Sequence, residues 1–214
     1  MVESEDVQSE DKVSELIRKS AAGDRTARDR LFAHYRPRLS RMVRLRLNRL
    51  VQGRVDESDI VQEASLEAAR RLDEYLADPV QPFYLWLRHI AGRKLIDVHR
   101  RQLGAQRRDA ARELSLHKGP LPAADSASLA AQLLGKLSSP SQAASRAETR
   151  LKVQEVLNGM DSLDREILAL RHFEQMTNAE VAETLEMSES SASSRYLRAL
   201  KQLKEEFQRI PGIL

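Results

Sequence analysis

The chain has 214 residues, 41% hydrophobic, 31% charged and 4% aromatic, with no cysteine and a formal net charge of +3. Apolar side chains in that proportion support one or two packed domains, few aromatics favour helix over sheet, and the missing thiols exclude disulfides and thiolate metal sites. No apolar run approaches the roughly 20 residues of a membrane span, and the acidic opening MVESEDVQSED does not read as a secretory leader, so the expectation is a cytoplasmic protein without membrane insertion.

Residues 1–12 are polar and acidic and read as a disordered N-terminus. Val13, Leu16, Ile17 and Ala21 predict a short helix closed by Gly23. Asp24 is placed to cap a second helix, whose inner face runs from Ala27 through Leu31, Tyr35, Leu39 and Val43 to Leu50, with a kink or restart expected at Pro37. Asp56 or Ser58 caps a third, using Ile60, Ala64, Ala68, Leu72 and Leu76. Asp78-Pro79-Val80-Gln81-Pro82 reads as a loop. Phe83, Trp86, Leu87, Ile90, Ala91, Leu95 and Val98 then mark a fourth helix ending near Arg101.

Residues 103–147 carry Gly104, Gly119-Pro120, Pro122, Gly135 and Pro140 among many Ala and Ser, and read as a flexible interdomain linker with one short helix at Leu129–Leu137. Helical spacing returns over 148–209, with Asp161 as a cap. Thr177 with Glu180 forms a capping box, and Ser188 caps a second helix, with only Glu186 and Met187 between that cap and the first helix. The fold class predicted is all-α: a four-helix unit over 13–102, a linker, and a second helical unit over 148–209.

Charge is arranged in blocks. Arg36 to Arg54 holds seven arginines and no acid, Asp56 to Asp78 holds eight acids, and Arg88 to Arg108 holds seven Lys and Arg against Asp97 alone. Separate blocks suggest separate partners, although a solvated helix face gives the same pattern.

The closely joined helices of 177–208 suggest a helix-turn-helix, with Ala179, Ala182 and Ala192 at the crossing and Leu185, Met187, Tyr196, Leu197 and Leu200 on the inner face. Ser190, Ser191, Ser193, Ser194, Arg195 and Arg198 would face outward, and serine hydroxyls and arginine forks suit phosphates and guanine edges. Glu186 stands where such turns usually take Gly, at a cost of roughly 1 kcal/mol. A hairpin whose polar face meets only solvent is the alternative. In the first unit, Phe83 and Trp86 beside Arg93, Lys94, Arg100 and Arg101 form the mixture that holds single strands, rings stacking on bases while cations follow the backbone. Core packing is the alternative for each ring.

These stretches resemble the extracytoplasmic-function (ECF, group 4) sigma factors of the sigma-70 family. DESDIVQEASLEAARRL is similar to the family's region 2.2, FYLWLRHIAGRKLIDVHRR to regions 2.3 and 2.4, and LNGMDSLDREILALRHFEQMTNAEVAETLEMSESSASSRYLRALKQL to region 4.2 with its lead-in. The resemblance implies a subunit that directs bacterial core RNA polymerase to promoters. Asp59, Gln62 and Glu63 would dock on the β′ clamp. Phe83, Trp86, Arg93, Lys94, Asp97, Arg100 and Arg101 would melt and hold the minus-10 element, with Leu76 to Phe83 capturing an unstacked base. Ser190, Ser193, Ser194, Arg195 and Arg198 would read the minus-35 element as duplex. An anti-sigma factor is a further partner the resemblance admits. The chain departs from the family at Ser190-Ser191-Ala192, where a Gly-Thr-Val type sequence is usual, and at Arg93, where a small polar residue is common.

Enzyme readings find no support. The eight glycines form no phosphate loop, and the five histidines, at 34, 89, 99, 117 and 172, show no metal-ligand spacing, so no catalytic residue, metal or cofactor is expected. The alternatives to a sigma factor are a stand-alone helix-turn-helix regulator, which would bind duplex DNA as a dimer on a palindrome, and a helical adaptor that binds protein alone.

Overall fold

A computed structural model describes residues 3–47, 51, 54–103, 121–135 and 143–209. Among them there are helices and no strand. The helices are α1 (Glu3–Ala21), α2 (Arg25–Arg46), α3 (Glu57–Ala77), α4 (Phe83–Leu103), α5 (Ser126–Gly135), α6 (Ala143–Gly159), α7 (Ser162–Leu168), α8 (Asn178–Thr184) and α9 (Glu189–Gln208). A π-helical turn, Ala169–Phe173, continues α7. No helix among the described residues is long and apolar enough to cross a membrane.

Side-chain caps start the helices where the sequence places them. Asp24 accepts from the Ala27 amide, Asp56 from Ser58, Asp161 from Leu163 and Asp164, and Ser188 from Ser191. Thr177 and Glu180 form the reciprocal capping box. Each cap satisfies amides the helix itself leaves open. Gly23 sits at φ 89, the left-handed turn that separates α1 from α2.

Three expectations are corrected. Residues 3–12, read as disordered, are helical and continuous with 13–21, because the acids that argued against a core also favour a helix N-terminus. Pro37 lies inside an unbroken α2. Leu31 and Tyr35 before it and Leu39, Met42 and Val43 after it are all buried in one cluster, and that burial outweighs the roughly 3 kcal/mol a mid-helix proline costs. The third correction concerns the linker. Residues 104–120 and 136–142 of it lie outside the described residues, but 121–135 is a packed strap, not a loose tether. Asp125 caps α5 through Ser128, and the Asp125 amide donates to the Leu45 carbonyl of α2 at 2.8 Å. Leu129 and Ala130 are fully buried beside Val153 and Leu157 of the second unit.

The two units are therefore apposed. Ile167, Leu170, Met176, Val181, Ala182 and Ala192 of the second unit share one apolar cluster with the core of α1–α4, and Leu45 of α2 belongs to the cluster inside the second unit.

Candidate nucleic-acid and polymerase interfaces

On α3, burial of Ile60, Val61, Ala64, Ala68 and Leu72 turns Asp59, Gln62 and Glu63 outward, as the helical period requires. All three are exposed, with Leu66 beside them 54% exposed. An acidic stripe with an apolar side chain on its edge suits a basic, partly apolar partner surface. Glu63 lies 4.0 Å from Lys94 of α4.

On α4 the expected face divides. Arg93, Arg100 and Arg101 are exposed, and Lys94 and Asp97 half-buried. Arg93, Lys94 and Asp97 line a cleft of about 140 Å³ with Glu67, Arg71 and Ile90. Arg100 pairs with Asp97 at 3.0 Å. Trp86 is half-buried and stacks on Tyr75, centroids 4.7 Å apart and planes 30° apart. Phe83 is a correction: only 3% exposed, it packs among Tyr75, Trp86, Tyr35 and Phe32. It supports Trp86 from below and has no surface for a base. Its place at the first turn of α4 aims it at the core, which period alone does not distinguish from the Trp86 face. The 78–82 loop stands at the edge of this aromatic group, held by Tyr75 Oη donating to the Gln81 carbonyl at 2.9 Å, with Val80 78% exposed.

The helix-turn-helix is formed by α8 and α9. Glu186 takes φ 52 in the turn, the left-handed conformation expected there. Ala182 and Ala192 are buried at the crossing, whereas Ala179 is exposed and Leu197 is 62% exposed. Leu197 thus belongs to the outer face with Ser190, Ser193 and Ser194, all exposed. Asn178 ties the helices by donating to the Glu189 carbonyl at 2.8 Å.

Arg195 and Arg198 do not project freely. Both are held by Asp164 of α7, whose side chain is 5% exposed. Arg195 Nη1 donates to Oδ1 at 2.6 Å, and Arg198 donates through Nε and Nη2 at 3.0 and 3.1 Å. Burial pushes the Asp164 carboxyl up, but hydrogen bonds from Arg198 and Arg195 outweigh it and hold the group below its ordinary range. It is the anion that orients both guanidiniums, and sequence reading missed it because its partners lie 31 and 34 residues away.

Sequence reading also missed the charges between the two units. Glu174, fully buried just after the π turn, takes Arg46 on one carboxylate oxygen. The other oxygen accepts Arg88 Nε at 2.8 Å and Tyr84 Oη at 3.3 Å. Arg46 also bonds Glu166, which accepts the Ala124 amide of the strap at 3.0 Å. Arg38 donates to the Glu174 carbonyl at 3.1 Å and to Glu180 at 2.9 Å, and lies 3.5 Å over the Tyr84 ring. Burial alone would raise the Glu174 carboxyl; the charges of Arg46 and Arg88 outweigh that and hold it lowered. Burial and the Glu174 charge push the Tyr84 hydroxyl up, so it stays protonated and donating.

The family model described as ECF sigma factor matches residues 10–209. The chain is 27% identical over 172 residues to the ECF RNA polymerase sigma factor SigD of Mycobacterium tuberculosis (strain ATCC 25618 / H37Rv), and equally to SigD of Mycobacterium bovis; each match covers 80% of this chain and 73% of the relative. A solved structure of CnrH in complex with the cytosolic domain of CnrY matches with a TM-score of 0.51 at 24% identity, covering 91% of this chain and 96% of that one, a likeness of fold.

Proposed function

The chain belongs to the ECF sigma factor family, and from that premise we propose how its surfaces divide the work. As a sigma factor it directs core RNA polymerase to promoters and acts in transcription initiation. It does so in the cytoplasm and adds no catalysis of its own. The acidic stripe Asp59, Gln62 and Glu63 with Leu66 docks on the polymerase clamp. Trp86, backed by Tyr75 and Phe83, offers the stacking surface for the melted minus-10 strand, while Arg93, Lys94, Arg100 and Arg101 follow its backbone. Helix α9 enters the duplex major groove at the minus-35 element with Ser190, Ser193, Ser194, Arg195 and Arg198. The observation that carries this reading is one chain bearing an acidic docking stripe, a basic and aromatic helix, and a helix-turn-helix within a single family match. A stand-alone regulator leaves the acidic stripe without a partner.

Run-off transcription with core polymerase over a genomic fragment library tests the reading. Chain-dependent start sites sharing two upstream elements are expected; no chain-dependent transcript from any fragment would sink it.

Within this scheme Asp164 is a positioning residue, because one carboxylate that holds Nη1 of Arg195 and the Nε–Nη2 edge of Arg198 fixes how both guanidiniums present their remaining N–H groups. Arg195→Ala and Arg198→Ala should each weaken minus-35 binding by about 1–3 kcal/mol and relax preference at the base each reads. Asp164→Asn should relax the same preferences while leaving the salt slope of binding almost unchanged, and Asp164→Glu should restore part of the selectivity. Measured selectivity that is equal in Asp164→Asn and the parent would remove this role.

A further inference from the structure

We propose that the cleft between α3 and α4 holds one phosphate of the unpaired promoter strand. Arg71 of α3 closes on it opposite Arg93 of α4, at the linkage next to the base stacked on Trp86. The inference rests on the sigma-factor reading above and adds to it a DNA contact from α3, the helix that carries the polymerase docking stripe.

The helical period places the cleft. On α3, Ala64, Ala68, Leu72 and Tyr75 are buried, and Glu67 and Arg71, one turn apart, flank that stripe half-buried. On α4, His89, Arg93 and Asp97 continue the line that begins at Trp86, at steps of three and four residues. The two helices run in opposite directions. Tyr75, late in α3, stacks on Trp86, early in α4, and Glu63, early in α3, meets Lys94 further along α4 at 4.0 Å. Between those two pairs lies the cleft of about 140 Å³, which Arg71 enters from one wall and Arg93 and Lys94 from the other.

The cations there are short of anions. Both acids of the cleft pair with arginines outside it, Asp97 with Arg100 at 3.0 Å and Glu67 with Arg70 at 3.8 Å. Arg71 lies 3.6 Å from the exposed Glu74, too far for a hydrogen bond. Arg93 is exposed and makes no ion pair among the described residues. His89 registers the excess: burial first, then the charges of Arg93 and Arg71, hold its imidazole below its ordinary range. A phosphate suits this arrangement, because an arginine on each wall can fork onto its free oxygens. The place suits it as well. The cations begin about one helical turn past the Trp86 ring, roughly 5 Å along α4, within the span of one nucleotide's sugar and phosphate. Glu67 and Asp97 limit the number, since a second phosphate beside them would meet like charge. The cleft therefore takes one linkage and not a run of them.

The test uses the full chain with core polymerase, on a promoter from the run-off screen whose minus-10 strand is left unpaired. Each phosphate of that strand is replaced in turn by an uncharged methylphosphonate. The parent should lose about tenfold in affinity at one linkage within the minus-10 element. Arg71→Ala should lose about as much on unmodified DNA and show no further loss at that linkage. Its salt slope should be smaller by about 0.7, the share of one single-strand phosphate. Arg71→Lys keeps the charge and should recover part of the affinity and the sensitivity to that linkage. If the losses from Arg71→Ala and from the methylphosphonate simply add at every linkage, or the salt slope is unchanged, the proposal is overturned. Binding to core polymerase that falls in Arg71→Ala and returns in Arg71→Lys would assign the residue to the docking stripe and overturn it too. A parent complex that holds this promoter no better than an unrelated sequence would instead overturn the sigma-factor reading beneath it.

Discussion

Reversing charge at Asp59 and Glu63 together should remove the chain from core polymerase. Both carboxylates are exposed on one stripe of α3, and their removal leaves the packed face of Ile60, Val61, Ala64 and Ala68 untouched. The fold should therefore survive, and melting curves of the variant and parent should overlay. Against a basic partner, two reversed charges convert attraction into like-charge contact, which costs several kcal/mol. About 3 kcal/mol already corresponds to a loss of roughly 100-fold in Kd. Pull-down at two ionic strengths reads the outcome. The parent should weaken as salt rises, and Asp59→Lys/Glu63→Lys should fail to bind at either. Gln62→Ala, which removes no charge, should bind with most of its affinity. Retained binding by the double variant would move the polymerase contact to another face.

The contrast between what the sequence discloses and what it conceals follows sequence distance. Local features were legible. Every cap from Asp24 to Ser188 acts within three residues, the left-handed turn at Glu186 follows from the two helices joined there, and the acidic stripe follows from the 3.6-residue period of α3. Phe83 and Trp86 show where local reading ends. Three residues apart, they lie on neighbouring parts of one helix surface, and only the packing of Tyr35 and Tyr75 decides which ring is buried. Leu197 reverses the error: it is apolar at an inner-face period, yet the core is filled without it by Ala192, Ala199 and Leu203. The strap was hidden by composition, since Gly, Pro, Ala and Ser suggest a tether but Leu121 and Leu129 bury well. The contact between the units was not legible at all. Arg46 reads as one more arginine in a basic block, and nothing local to it discloses a carboxylate 128 residues away.

That arginine carries the largest stability effect expected of a single substitution. Its guanidinium is fully buried between Glu166 and Glu174. Arg46→Ala leaves both carboxylates buried with only Arg88, Tyr84 and the Ala124 amide for company, and breaking such a network by removing one partner costs about 3–5 kcal/mol. In a chain of this size that is a fall of roughly 10 °C in Tm if the whole fold melts together. The network offers a cheaper route, because every pair in it joins one unit to the other and separation rehydrates all of the charges. The variant should therefore open before it unfolds, and a calorimetric trace that is one transition in the parent should become two. Acid should do the same to the parent. Glu174 is held below its ordinary value of 4.5, so the open chain binds the extra proton first. Its stabilising effect is complete above that value and is lost as pH falls through the lowered one. Glu174→Gln should flatten that acid limb while lowering stability at neutral pH. A single transition within about 1 kcal/mol of the parent in Arg46→Ala, with the acid limb unchanged in Glu174→Gln, would mean that these charges are already hydrated in solution and that the units are not docked through them.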